Sequence, residues 1–279
     1  MYYPTFDEVK RIREKELDAS TEQENKRPLL PLYRDILADM ETPVSAYCKT
    51  ARGPYSFLLE SVAGGERIAR YSFIGIDPYM VMTHHDDKVT LRSIRQPHGA
   101  SPEQHDPGVE EITCYDPLEL IEAELGQYRL VAPAGISRDE LPRFHGGAVG
   151  YLAYESVARF ERLPVPVKNE VGLPLAVFCF TETVLVFDHL KHRVRIVTHL
   201  HLDAPDLEVE YQRGLAIIDD VQQRLRQPMR LPEEPEPIHN VDEIRVVSIV
   251  HVANLKVWCG VPLNTFVQGI SFRLYHRNA

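Results

Sequence analysis

Apolar residues recur at helical spacing in two segments, one near the start of the chain and one after residue 200. Because side chains three and four positions apart share a helix face, residues 5–26 and 206–226 predict amphipathic helices. A third helix is predicted over 118–127. It would begin at Asp116 and Pro117, since aspartate caps free amide groups and proline fits the first helical turn.

Between these helices most apolar runs are short, rich in β-branched and aromatic residues, and separated by Gly, Pro or Asp. This pattern predicts strands of an antiparallel meander, with a hairpin at 188–192. The segment 148–160 fits a strand or a helix, and 32–39 predicts a short helix. The predicted strands are 44–50, 55–62, 71–76, 80–84, 88–94, 175–188 and 193–201.

The composition argues against several classes of function. The 279 residues include 31 Lys and Arg against 41 Asp and Glu, a formal net charge of −10, whereas nucleic acids and anionic membranes select basic surfaces. No run approaches the roughly 18 apolar residues of a membrane span, and the first residues lack the apolar region of a secretory signal. We therefore expect a cytoplasmic protein with neither nucleic-acid nor membrane partners.

Cysteines and histidines do not form a metal-binding pattern. The four cysteines stand apart without C-x-x-C spacing, which is typical of reduced, structural thiols. His189, His192, His199 and His201 crowd one region, and the last two share a strand face that could hold a metal. No carboxylate stands at ligand spacing, so we interpret the four as solvent-exposed hairpin histidines and predict no metal site.

A polar group near the second predicted strand is the candidate binding site. Glu60 and Ser61 end that strand, and Arg70 precedes the next one. An amino-acid ligand presents an ammonium and a carboxylate, which need partners of opposite charge and hydrogen-bonding groups. Glu60, Ser61 and Arg70 could supply them. The same residues also fit a plain hairpin in which Glu60 and Arg70 form a cross-strand ion pair.

Four ordered blocks of sequence carry a family resemblance over roughly residues 5–235. They read FLLESVAGGERIARYSFIG at 57–75, DPL at 116–118, LPRFHGGAVGYL at 141–152, and FERLP at 160–164 followed by LVFDH at 185–189. Together they resemble the N-terminal half of anthranilate synthase component I, and more weakly aminodeoxychorismate synthase component I. The resemblance implies an α+β fold of packed antiparallel β-sheets with flanking helices.

The resemblance also implies a function. Component I of that family converts chorismate to anthranilate and pyruvate with Mg²⁺, uses ammonia from a glutamine amidotransferase subunit, and is inhibited by L-tryptophan. Its Leu-Leu-Glu-Ser motif lines the tryptophan pocket, so Glu60 and Ser61 are implied as tryptophan-binding residues, and Arg70 is added from its position. An aminodeoxychorismate synthase component I fragment and a free-standing amino-acid-binding module are the alternatives.

The family's residues for chorismate and Mg²⁺ belong to its C-terminal half. The resemblance therefore implies no catalytic residue and no Mg²⁺ ligand in this chain, and we expect the polypeptide alone to be inactive. Residues 1–235 are interpreted as the tryptophan-sensing domain. Residues 236–279 are interpreted as a linker and an out-of-frame tail, with the catalytic chorismate-binding domain missing.

The interpretation of the tail depends on its codons. The family should continue close to EYIRAGDIFQVVLSQR, but this chain reads VWCGVPLNTFVQGISFRLYHRNA at 257–279. If each codon is begun at its third base, residues 264–279 permit YIRAGDIFQVV, so we predict a frameshift upstream of about Val257.

Resequencing the gene around codon 257 tests the predicted frameshift. We expect one lost base, or two gained, whose correction restores the family sequence. An unbroken frame with codons that do not encode YIRAGDIFQVV when shifted would contradict it.

Overall fold

The computed structural model describes residues 1–18, 26–37, 39–60, 70–94, 108–114, 116–133, 142, 144–159, 161–162 and 172–229. All of them belong to the unit Met1–Leu231. Residues 236–279, interpreted above as a linker and an out-of-frame tail, lie outside the described residues.

The described part of the chain alternates between helices and mostly short strands. The helices are α1 (Phe6–Asp18), α2 (Pro43–Thr50), α3 (Pro117–Gly126) and α4 (Leu207–Arg226), with a 3₁₀ segment at Tyr154–Arg159. The strands are β1 (Tyr2–Tyr3), β2 (Arg27–Leu37), β3 (Phe57–Leu59), β4 (Tyr71–Gly75), β5 (Met80–His85), β6 (Lys88–Ser93), β7 (Val109–Thr113), β8 (Tyr128–Leu130), β9 (Gly147–Leu152), β10 (Ala176–Thr181), β11 (Val184–Asp188) and β12 (Arg193–His201).

The larger sheet is organised around the antiparallel pair of β2 and β12. Its strand order is β1-β2-β12-β11-β4-β3, and β8 pairs with β2 in parallel. The β2–β12 register runs from Leu37 opposite Arg193 to Leu29 opposite His201. Since successive side chains of a strand point to opposite faces, this register determines which residues of β12 face each side of the sheet.

Helix α4 covers one face of this larger sheet. The side chain of Asp206 caps its N-terminus by accepting from the amides of Glu208 and Val209. Each apolar side chain buried beneath the helix contributes about 1.5–3 kcal/mol to folding. The core includes Leu30 and Leu32 of β2, Ile196 and Leu200 of β12, and Ile218 and Val221 of α4.

The smaller sheet has the strand order β7-β6-β5-β10-β9 and packs against α3. Met82 of β5 and Phe180 of β10 are fully buried there, with Leu120 and Ile121 of α3 against them. The chain passes between the two sheets from β4 to β5 and from β10 to β11. At this junction the Thr181 hydroxyl donates to backbone oxygens of Ile76 and Thr183, at 3.3 and 3.0 Å.

The predicted α+β fold of antiparallel sheets with flanking helices is confirmed. The helices predicted at 118–127 and 206–226 correspond to α3 and α4, and the first predicted helix corresponds to the shorter α1. The predicted 188–192 hairpin joins β11 to β12. None of the described helices is long and apolar enough to cross a membrane.

The single strand predicted at 175–188 is two strands, β10 of the smaller sheet and β11 of the larger one, and two other predicted elements have the wrong type. Residues 32–37, predicted as helix, belong to β2, where pairing with β12 on one side and with β1 and β8 on the other outweighs local helical preference. Residues 44–50, predicted as a strand, lie in α2. Thr42 and Ser45 form a capping box at its start, and Pro43 occupies the first turn.

Candidate functional site

The predicted tryptophan-binding residues flank one connection between paired strands. β3 and β4 are antiparallel neighbours, so Glu60 after β3 and Arg70 before β4 lie at the same end of their ladder. Glu60 is exposed to solvent. Ser61 and the rest of the 61–69 connection lie outside the described residues.

Arg70 forms a bidentate ion pair with Asp188 at the end of β11. Its Nε lies 3.2 Å from Oδ1 and its Nη2 2.9 Å from Oδ2, and the guanidinium stacks on the ring of Tyr71. Asp188 also accepts from the amides of Leu190 and Lys191 at 3.2 Å. Burial raises the pKa of Asp188, but the bonds from Arg70 and Lys191 outweigh it and lower that pKa.

This pairing differs from the cross-strand ion pair between Glu60 and Arg70 that the sequence left open. The guanidinium of Arg70 binds Asp188 because β11 lies beside β4 in the sheet, with Asp188 opposite Tyr71. Asp188 stands in the last of the four sequence blocks, but nothing in the sequence indicated its partner. The pair fixes Arg70 at the rim of the candidate tryptophan site.

An aromatic surface adjoins this end of the ladder, on the sheet face opposite α4. The ring of Phe144 lies edge-on to Phe73 at 5.4 Å and tilted to Phe57 at 6.2 Å between centroids. A Cβ on Gly75 would lie 2.1 Å from the Phe57 ring, so only glycine lets that ring lie over β4. Two of the four blocks, 57–75 and 141–152, thus meet in one apolar surface.

The interpretation of all four hairpin histidines as exposed is wrong for two of them. His189 and His192 are exposed in the turn, but His199 and His201 are only 3% and 2% exposed. β12 lies inside the sheet and is covered on both faces, so residues 194–201 are all buried. Among the described residues there is no group of three or more His, Cys, Asp or Glu that could hold a metal.

The buried His199 belongs to a hydrogen-bonded chain. Its Nδ1 lies 3.0 Å from the backbone oxygen of Glu182, and its Nε2 lies 3.0 Å from Nδ1 of His145. A carbonyl only accepts, so His199 carries its proton on Nδ1, and its Nε2 accepts from His145. A Cβ on Gly146 would lie 2.7 Å from His199, so glycine lets this segment approach the imidazole.

The side chain of Glu182 extends this polar group. Its Oε1 accepts from Nε2 of His201 at 3.0 Å, and Oε2 lies 3.8 Å from Nη1 of Arg213. Burial raises the pKa of Glu182, but His201, Arg213 and His199 together lower it to about 2. Burial, with His145 nearby, lowers the pKa of His199 to about 4, and burial also lowers that of His145.

His145, Glu182 and His199 line a cavity of about 340 Å³ between the two sheets, which we call the histidine cavity. Strands β8 and β12 of the larger sheet, β9 of the smaller sheet and the end of α3 contribute to its wall. Its polar side chains come from Tyr79, His145, Thr181, Glu182 and His199, and its apolar wall is formed by Leu29, Leu125, Leu130 and the ring of Tyr128. Sequence reasoning missed this cavity because its wall is drawn from separate segments.

Comparison with known proteins identifies relatives of the family that the four sequence blocks resemble. The chain is 37% identical to anthranilate synthase component 1 of Acetivibrio thermocellus over 203 residues, which is 73% of this chain and 35% of that protein. It is 36% identical to the Pseudomonas aeruginosa protein of the same name over 202 residues, 72% of this chain and 37% of the relative. The chain is a homologue of anthranilate synthase component 1. The resemblance inferred from the sequence is thereby confirmed.

Further comparisons show how much of the homologues is matched. The probable anthranilate synthase component 1 of Schizosaccharomyces pombe is 32% identical over 275 residues, 93% of this chain and 48% of the relative. The chain thus spans between about a third and a half of the length of the relatives it matches. Anthranilate synthase component I from Streptococcus pneumoniae TIGR4 superimposes with a TM-score of 0.39 and 21% identity, covering 69% of this chain and 37% of that structure. No profile of a known protein family matches.

Acidification is expected to destabilise the fold through His199. Its folded pKa of about 4 lies below the value of 6.5 for an unfolded histidine. The unfolded chain therefore takes up a proton first, and stability falls as the pH drops from 6.5 to 4, by up to about 3 kcal/mol. Glu182 adds to the loss below pH 4.5, because its folded pKa is about 2.

Urea unfolding at pH 7, 5.5 and 4.5 measures this dependence. The variant His199→Gln should lose less stability between pH 7 and 4.5 than the parent chain. His192→Gln, at an exposed turn position, is the matched control and should follow the parent. Equal pH dependence of His199→Gln and the parent chain would show that His199 is not the titrating group.

Proposed function

We propose that this chain is the N-terminal, tryptophan-sensing portion of an anthranilate synthase component 1. The observation that carries the proposal is homology at 32–37% identity over 72–93% of the chain. The relatives named above all carry that name, which favours this function over an aminodeoxychorismate synthase fragment. The chain matches only about a third to a half of each relative's length, which favours a portion of a larger enzyme over a free-standing amino-acid-binding module.

The arrangement around β3 and β4 supports L-tryptophan as the inhibitor. Glu60 is exposed at the ladder end and offers a carboxylate to the ligand ammonium. The bonds of Arg70 to Asp188 use Nε and Nη2, so a ligand carboxylate would bind through Nη1. The surface formed by Phe57, Phe73 and Phe144 adjoins these groups and suits an indole ring.

The activity of the whole enzyme is part of the same proposal. It would convert chorismate and ammonia to anthranilate and pyruvate in the cytoplasm, with the ammonia supplied by a glutamine amidotransferase subunit, component II. The reaction would require Mg²⁺, but the described residues do not fit a Mg²⁺ site because they contain no suitable group of carboxylates. We therefore propose that this chain alone is inactive and that the metal is bound elsewhere in the enzyme.

Calorimetric titration of the chain with L-tryptophan tests the sensing role. Saturable binding is expected. Glu60→Gln removes the charge that would face the ligand ammonium while keeping the side-chain size, so affinity should fall about tenfold or more. Ser61→Ala should also weaken binding.

The matched control is Glu110→Gln, which removes an equally exposed carboxylate from β7 in the other sheet. It should bind L-tryptophan as the parent chain does. An equal loss in Glu60→Gln and Glu110→Gln would rule out a tryptophan site at Glu60. Absence of saturable heat with the folded parent chain would show that the pocket is incomplete in this chain alone.

A further inference from the structure

The histidine cavity is formed by other residues than the candidate tryptophan site. Neither Glu60 nor Arg70 lines it. Its volume of about 340 Å³ lies within the range of roughly 300–1,000 Å³ typical of small-molecule sites. The chemistry of its wall indicates which class of small molecule it would accept.

Four polar side chains of the wall already donate their hydrogens to other protein groups. The Tyr79 hydroxyl donates to Oε1 of Glu124 at 3.1 Å, and that of Thr181 donates to backbone oxygens. His199 donates to a carbonyl and His145 donates to His199. Burial, with Glu124 close by, raises the pKa of Tyr79, so its phenol stays protonated and keeps this bond.

Three of these groups can still accept a hydrogen bond. A phenol or hydroxyl that donates its hydrogen keeps a lone pair, as in Tyr79 and Thr181, and His145, which donates from Nδ1, can accept at Nε2. Nε2 of His199 already accepts from His145. The hydroxyl of Tyr128, which can donate or accept, is the exception among the described polar side chains of the wall. A ligand that satisfies this cavity must therefore supply donors.

The carboxylate of Glu182 adds negative charge to the same wall. Arg213 is its nearest guanidinium, at 3.8 Å, but Arg213 binds Glu210 more closely, at 2.7 and 2.9 Å. The guanidinium of Arg213 is thus shared between the carboxylates of Glu182 and Glu210. Glu182 is 16% exposed and ionised, so it retains charge that a cation entering the cavity would meet.

The remaining side chains of the wall are apolar, and the backbone of Gly146 and Gly147 completes it. Leu29, Leu125 and Leu130 line it together with the rings of Tyr79 and Tyr128. Tyrosine rings attract cations through their negative faces, and leucine side chains favour a hydrocarbon body. A ligand carboxylate is disfavoured here, since the described polar side chains are mainly acceptors and Glu182 would repel it.

We propose that the histidine cavity binds a small organic ammonium ion with an apolar body and no carboxylate. The ammonium would donate to Glu182 and to neighbouring lone pairs, and the body would lie among the leucines and tyrosine rings. The inference does not depend on the tryptophan-sensing role, because the two sites share no ligand-binding residue.

Three probes of nearly equal size test this selectivity on the 279-residue chain at pH 7. They are 2-phenylethylammonium, its neutral counterpart 2-phenylethanol, and L-phenylalanine, which adds a carboxylate. We expect saturable binding of 2-phenylethylammonium by calorimetry, about tenfold or more tighter than either of the other two, as one charge-assisted hydrogen bond provides.

Two variants locate the site. Glu182→Gln should reduce binding of 2-phenylethylammonium to the level of 2-phenylethanol, whereas Glu122→Gln on the exposed side of α3 should leave it unchanged. Leu125→Trp fills the cavity from α3 without touching the polar group and should abolish binding. Leu125→Trp locates the site even if Glu182→Gln fails to fold, because Leu125 is 38% exposed and its replacement is expected to leave the fold intact.

The proposal is overturned by any of three results with folded protein. The first is no saturable binding of 2-phenylethylammonium by the parent chain. The second is equal affinity for the ammonium and the alcohol, or for the ammonium and L-phenylalanine. The third is unchanged binding in Leu125→Trp.

Discussion

The antiparallel pairing of β12 with β2 is the constraint on which the rest of the structure depends. Nine consecutive residue pairs fix which side chains of β12 point to each face of the sheet. Val194, Ile196 and Leu200 lie under α4 in the apolar core. The alternate positions, which include His199, point to the opposite face. A shift of one residue would exchange the two sets and bury the polar side chains beneath α4.

The same alternation places the charged and imidazole side chains of β11 and β12 on the sheet face away from α4. Asp188 at the end of β11 forms the ion pair with Arg70. Glu182, just before β11, accepts hydrogen bonds from His201 through its side chain and from His199 through its backbone oxygen. Phe144 is part of the aromatic surface near the candidate tryptophan site, and the next residue, His145, lines the histidine cavity. The two sites are therefore neighbours supported by one segment, although different residues would bind their ligands.

The sequence predicted those parts that local chemistry determines. Helix α4 follows from its apolar spacing and Asp206 cap, and 188–192 follows from turn residues between two β-rich runs. Residues 32–37 became a strand because strands distant in sequence pair with them on both sides. The burial of His199 likewise depends on strands and loops far along the chain, so spacing within the hairpin could not reveal it. Glu60 and Arg70 were placed at one ladder end correctly, but the Asp188 partner required the sheet order.

The tautomer of His199 is a direct test of the β2–β12 register, since it depends on that register and on the approach of Gly146. Long-range ¹H–¹⁵N correlation spectra of the ¹⁵N-labelled chain at pH 7 distinguish a protonated from an unprotonated ring nitrogen. We expect a neutral His199 with its proton on Nδ1 and an unprotonated Nε2 that accepts from His145. A proton on Nε2, or rapid exchange between tautomers as in a solvent-exposed histidine, would contradict that register.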